Sequence, residues 1–126
     1  MRNNKIITAD KELKAGRLKK RPEFLCVAKD GKKWVSDSVI VQCLQSDAPE
    51  ILKFGYTATK KIGNAVVRNR AKRRLRAAVY TILLENTVLP ANIVLIARDV
   101  TPTCDWEKLT KDLKWCLKRL GVLNQP

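Results

Sequence analysis

Residues 64–85 read NAVVRNRAKRRLRAAVYTILLE, and residues 92–98 read NIVLIAR. In the first stretch Val67, Ala71, Leu75, Ala78 and Ile82 share one face at about 100° per residue. The spacing predicts a helix from about Ala65 to Glu85 whose apolar stripe must lie on a sheet. Asn64 stands in front of it as an N-cap, because its short amide accepts from the first free N–H groups. The second stretch follows Pro90 and is apolar on both faces from Ile93 to Ala97, which marks a central strand.

Working outward, Lys53 to Thr59 (KFGYTAT) alternates, with Phe54, Tyr56 and Ala58 opposite Gly55, Thr57 and Thr59. Ser38 to Gln45 (SVIVQCLQ) is β-branched and alternates too, with Val39, Val41 and Cys43 on one face. The turn-like SDAPE at 46–50 joins these runs, and they are expected to form an antiparallel pair. Trp34 and Val35 suggest a short strand. Upstream, a helix starts near Pro22, carries Phe24, Leu25, Val27 and Ala28, and stops before Gly31. Downstream, Trp106, Leu109, Leu113, Cys116, Leu117 and Leu120 form one stripe of a helix that starts near Asp105 and ends at Gly121. The order α-β-β-β-α-β-α predicts an α+β fold, one sheet covered by helices, in a single domain over residues 17–121. Residues 1–16 are expected to be a flexible basic tail and residues 122–126 a C-terminal tail.

The composition narrows the function. There are 26 Lys and Arg against 12 Asp and Glu in 126 residues, a net charge of +14. A compact fold with such an excess repels itself and suits a polyanionic partner, or else an anionic membrane surface. The chain has no histidine, which removes the commonest general base and the usual catalytic triads. Its four cysteines, at 26, 43, 104 and 116, show no Cys-x-x-Cys spacing, so buried reduced thiols in a cytosolic protein are expected rather than zinc. The longest apolar run is too short to span a bilayer, which takes about 20 residues. The first residues, MRNNKIIT, have a charge but no apolar core, so no signal peptide is expected and the protein is expected in the cytoplasm.

From Lys60 to Arg76 there are eight basic residues and no acidic one: Lys60, Lys61, Arg68, Arg70, Lys72, Arg73, Arg74 and Arg76. They occupy most of the helix circumference that the apolar stripe leaves free. A solvated face usually carries mixed charge, whereas this one is single-signed and rich in arginine, whose planar fork donates two parallel hydrogen bonds to a phosphate. The apolar face is small, is needed for the core and has no Trp or Phe at its border, which disfavours a membrane. Gly63 permits a close approach before the helix, and Asn69 is either a reader of an RNA edge or a plain surface amide.

The segment KKIGNAVVRNRAKRRLR at 60–76 resembles the signature of the protein subunit of bacterial ribonuclease P. Arg68-Asn69-Arg70, followed by Lys72, Arg73 and Arg76, looks like that family's RNR motif, and the likeness runs from RLKKRPEF at 17–24 to the last helix. The resemblance implies a four-stranded sheet, three helices and a left-handed βαβ crossover, against the usual right-handed rule. It further implies a subunit of an endoribonuclease that removes the 5′ leader of precursor tRNA, with the catalytic centre and its magnesium in an RNA partner. No side chain of this protein would be catalytic. Lys60, Lys61, Asn64, Arg68, Asn69, Arg70, Lys72, Arg73 and Arg76 would bind that RNA. Arg17, Lys20 and Phe24 would line a cleft for the leader between the first helix and the sheet. Neither DNA nor a membrane is among the implied partners. This sequence departs from the family where Ala28 and Gln42 replace aromatics, so Phe24 either lines a reduced stacking platform or is plain core. A non-catalytic RNA-binding module of ribosomal-protein type is the alternative reading.

Overall fold

The computed structural model describes residues 18, 20–45 and 52–124. The expected tail at 1–16 and Arg17 lie outside them. Helix α1 (Arg21–Asp30) has Pro22 in its first turn, and the Lys20 N–H donates to Glu23 Oε1 at 3.1 Å to close its start. Strands β1 (Lys32–Val35), β2 (Val39–Gln45) and β3 (Lys53–Thr57) follow, then a 3-10 turn at Lys60–Ile62. Helix α2 (Ala65–Glu85) has the predicted bounds, and Asn64 Oδ1 accepts from the Val67 N–H at 3.0 Å as its cap. Strand β4 (Thr87–Val88), strand β5 (Ala91–Ala97), helix α3 (Trp106–Arg119) and strand β6 (Leu123–Asn124) complete the order.

The four-stranded sheet runs β1-β2-β5-β3. This corrects the expected antiparallel pairing of β2 with β3. Strand β5 lies between them, antiparallel to β2 and parallel to β3. The reason is burial: β5 is apolar on both faces and is stable only with neighbours on both sides. Strand β3 can lie parallel beside β5 because α2 supplies the long crossover that parallel neighbours require. A second correction concerns the C-terminal end. Val122 is fully buried and β6 pairs with β4, so the packed unit runs past Gly121 into the residues expected to be a tail.

One sheet face is the main core. Val39, Val41, Phe54, Ile93 and Leu95 meet Ala71, Leu75 and Ala78 of α2 and Leu109, Leu113 and Leu117 of α3, all essentially inaccessible. Burying a side chain of this size is worth about 1.5–3 kcal/mol, so this layer is the main stabiliser of the fold. The other face holds a smaller cluster in which α1 sets Val27 over Val94, with Leu18 alongside.

Candidate nucleic-acid interface

The crossover places α2 on the core face beside α3, and the helix divides its basic residues by angle. Arg68, Lys72 and Arg76 follow one another at one-turn intervals and are half-buried. The Arg76 guanidinium lies 5.4 Å from the Tyr56 ring centroid on β3, which places this flank beside that strand. The Nε atoms of Arg68 and Arg76 are buried without a hydrogen-bond partner among the described residues. Asn69, Arg70 and Arg73 are exposed on the outer side. None of the three ion pairs found among the described residues involves α2. Its positive charge is therefore uncompensated within the described fold.

Arg74 is the exception. Its guanidinium donates to the Thr101 carbonyl at 2.7 Å and the Cys104 carbonyl at 2.6 Å, and lies 5.8 Å from the Trp106 ring centroid. It straps α2 to the loop between β5 and α3. In the sequence the basic run reads as one uniform surface, whereas this member of it is structural.

The link into the helix is shaped for exposure. Ala58 and Ile62 pack against the core while Lys60 and Lys61 point into solvent. Gly63 has φ +150°, a conformation that side chains rarely adopt, and a Cβ there would stand 3.1 Å from Val67. Asn64, also among the expected RNA-binding residues, is exposed and caps α2 through its side-chain oxygen, as the sequence predicts.

On the opposite face of the sheet, α1 covers only part of the surface. Phe24 is half-buried directly over Gly55, where a Cβ would come within 2.6 Å of its ring. Glu23 pairs with Lys53 at 3.6 Å, tying α1 to β3, and Lys20 is exposed at the start of α1. Ala28, one turn after Phe24, is also exposed. Beyond the helix, Val35, Ile40, Ile96 and Thr57 are in register across all four strands, none of them buried. This apolar row, walled by α1, was missed in the sequence. Its members are scattered along the chain, and only the strand order brings them together.

Burial pushes the Cys43 thiol up to about 11 and raises that of Cys116, so both are protonated at neutral pH. Against the expectation of four buried thiols, Cys26 is exposed and Cys104 is half-buried; all four cysteines are free. No described helix is long and apolar enough to cross a membrane.

Fold and surface together define an α+β protein whose crossover helix carries a cationic ridge, acid-free from Arg68 to Arg76, and whose far sheet face holds a half-exposed apolar row beside α1. The family model for ribonuclease P matches residues 13–121, and the chain belongs to that family. It is 45% identical over 109 residues to the ribonuclease P protein component of Gluconacetobacter diazotrophicus, covering 86% of this chain and 94% of that protein. The protein component of Caulobacter vibrioides is 44% identical over 111 residues, covering 87% and 74%. The structure of the RNase P protein of Staphylococcus aureus superposes with a TM-score of 0.74 at 27% identity, covering 86% of this chain and 97% of that one. The RNase P protein of Thermotoga maritima gives 0.70 at 25%, covering 82% and 98%. Membership of this family makes the chain a protein of tRNA processing, and the ribosomal-protein alternative is not favoured.

Proposed function

We propose that this protein binds the catalytic RNA of ribonuclease P through α2 and holds the 5′ leader of precursor tRNA in the cleft between α1 and the sheet. The observation that carries this reading is the ridge of Arg68, Asn69, Arg70, Lys72, Arg73 and Arg76, rigid, acid-free and unpaired by carboxylates of the described fold. Each phosphate contact made there releases a counterion, which drives association whatever the base sequence. The Nε atoms of Arg68 and Arg76 are buried, so a phosphate would be met by the terminal nitrogens of their guanidinium forks. The apolar row Val35-Ile40-Ile96-Thr57 and Phe24 give unpaired leader bases a surface, and Lys20, Lys60 and Lys61 give the leader backbone its charge.

Hydrolysis of the phosphodiester is assigned to the RNA partner with magnesium. Among the described residues no group of three His, Cys, Asp or Glu side chains is placed to hold a metal ion. The protein's part is electrostatic and positional: it neutralises phosphates and orients the leader. A cytoplasmic location accords with this role.

Reconstitution tests the reading. The protein with a bacterial ribonuclease P RNA is expected to cut precursor tRNA at magnesium concentrations where the RNA alone is slow, and the protein alone is expected to leave the substrate intact. Failure to stimulate the RNA would refute the proposal, as would RNA-free cleavage that copurifies with the folded chain and is lost when one carboxylate is replaced.

A further inference from the structure

The α3 stripe is buried at Leu109, Leu113, Cys116 and Leu117, yet its first member, Trp106, is 38% exposed. Trp106 opens into a groove of about 630 Å³ between the outer flank of α2 and the loop before α3, lined also by Arg70, Arg73, Arg74, Ala77, Pro102 and Thr103. No carboxylate lines it. Exposing part of an indole to water is unfavourable, and no described residue covers the open part of the ring.

The groove is built rather than incidental. The Arg74 guanidinium, held by the Thr101 and Cys104 carbonyls, lies beside the Trp106 ring and limits its motion. The loop is closed on itself by Arg98 N–H to Thr101 Oγ1 at 2.7 Å and Cys104 N–H to the Val100 carbonyl at 2.7 Å. Thr101 Oγ1 also donates to the Ser38 carbonyl at 2.6 Å, anchoring the loop to the sheet. A platform already ordered in the free protein loses little entropy when a ligand arrives. Arg70 and Arg73 stand exposed at its rim, and neither is engaged as Arg74 is.

We propose that this groove is a nucleotide subsite: one unstacked base of a bound RNA lies against the Trp106 indole, with its flanking phosphates held by Arg70 and Arg73. The inference rests on the RNA-binding reading and adds to it a contact that the arginine ridge alone does not provide. A flat, electron-rich ring beside the fixed Arg74 guanidinium, with the exposed Arg70 and Arg73 at its rim, matches a nucleotide, which offers a π face and an anion about one sugar apart. A phosphate alone would need only the arginines. The base can come from the catalytic RNA or from precursor tRNA, and the two are separable as titrants.

The test uses the full chain with Trp34→Phe and Trp115→Phe, in which Trp106 is the only tryptophan. Ribonuclease P RNA and precursor tRNA are each titrated in while its emission is followed. Stacking predicts saturable quenching by one of them. In the otherwise native chain, Trp106→Leu should weaken that RNA by about tenfold, as loss of one stacked base does. Trp106→Phe, which keeps a π face, should retain most of the affinity. Unchanged emission with both RNAs overturns the subsite, as do equal affinities for the Leu and Phe variants. The Arg68→Ala/Lys72→Ala variant, whose changes lie outside the groove, reports on RNA binding by the ridge itself. Loss of affinity there beside a silent Trp106 rejects the subsite and keeps the wider reading, and absence of RNA binding by the native chain rejects both.

Discussion

Arg74→Ala should destabilise the protein, although its sequence neighbours suggest a dispensable surface charge. The substitution removes two short hydrogen bonds, to the carbonyls of Thr101 and Cys104, and the guanidinium beside Trp106. Hydrogen bonds to a charged group contribute about 1.5–3 kcal/mol each, and a cation–π contact about 0.5–1 kcal/mol at an exposed site. The site is only partly buried, so water recovers part of what the two carbonyls lose. A net cost of about 2–3 kcal/mol follows, equivalent to roughly 8–12 °C in Tm for a domain of this size. Arg74→Lys should recover less than half, because an ammonium cannot span two carbonyls as a fork does. Arg73→Ala is the control: Arg73 is adjacent, exposed and equally charged, and its loss should cost no more than about 0.5 kcal/mol. Urea unfolding followed by circular dichroism measures all three, with the slope m unchanged. If Arg74→Ala and Arg73→Ala were equally stable, the strap would be an accident of surface geometry and the reasoning would fail.

Arg68→Ala with Arg70→Ala should leave stability nearly unchanged, lower affinity for ribonuclease P RNA and reduce the salt slope by about one unit for each phosphate no longer neutralised; native-like binding isotherms across a salt series would sink the assignment. Phe24→Ala should reduce the preference for leader-bearing over leaderless tRNA, and Ala28→Phe, which adds a ring on the exposed flank of α1, should raise it. Competition binding with both tRNAs checks this, and identical discrimination in two folded variants rejects the cleft. The Cys43 thiol, raised to about 11, keeps its proton in the folded state at pH values where the unfolded chain loses it. Stability should therefore fall as pH rises from about 9 to about 11, and be insensitive to this group below that window. Urea midpoints over that range should fall less in Cys43→Ala than in the native chain, and parallel curves would count against the assignment.

The helices and strands were legible where period and punctuation agreed. Asn64 and the Val67-Ala71-Leu75-Ala78 stripe located α2, and the two-faced run after Pro90 located β5. Strand partners were not legible in the same way. Alternation assigns Phe54 and Tyr56 to one face and Gly55 and Thr57 to the other, but is silent on which strand lies alongside. The turn-like residues between β2 and β3 suggested a hairpin; the demand of β5 for two neighbours overrode it. The ridge was readable because charge of one sign over so wide an arc has few structural uses. The distinct role of Arg74 was hidden, since Arg73 and Arg74 differ only by about 100° of helix rotation. Phe24 over Gly55 shows the same limit. The missing Cβ is visible in the sequence, but the ring it makes room for becomes visible only once α1 lies on the sheet.

The position of β3 at the sheet edge joins the two halves of the proposed surface. Thr57 closes the apolar row on one face, and only Ala58 to Asn64 separate it from the first turn of α2 on the other. Within that link Ala58 and Ile62 are anchored in the core, so Lys60 and Lys61 are held outward at the edge itself. Had β3 paired with β2, as a simple hairpin would, this link would start from the middle of the sheet and α2 would have to cross β5 to reach solvent. The parallel β3-α2-β5 unit instead places the cationic ridge and the cleft on opposite faces of one edge, with two lysines between them. On the proposed function, a strand of RNA leaving the cleft would meet positive charge continuously as it turned toward α2. Its phosphates would screen the mutual repulsion among the ridge arginines. The strand order, more than any single residue, makes one binding surface of elements that lie on different sides of the fold.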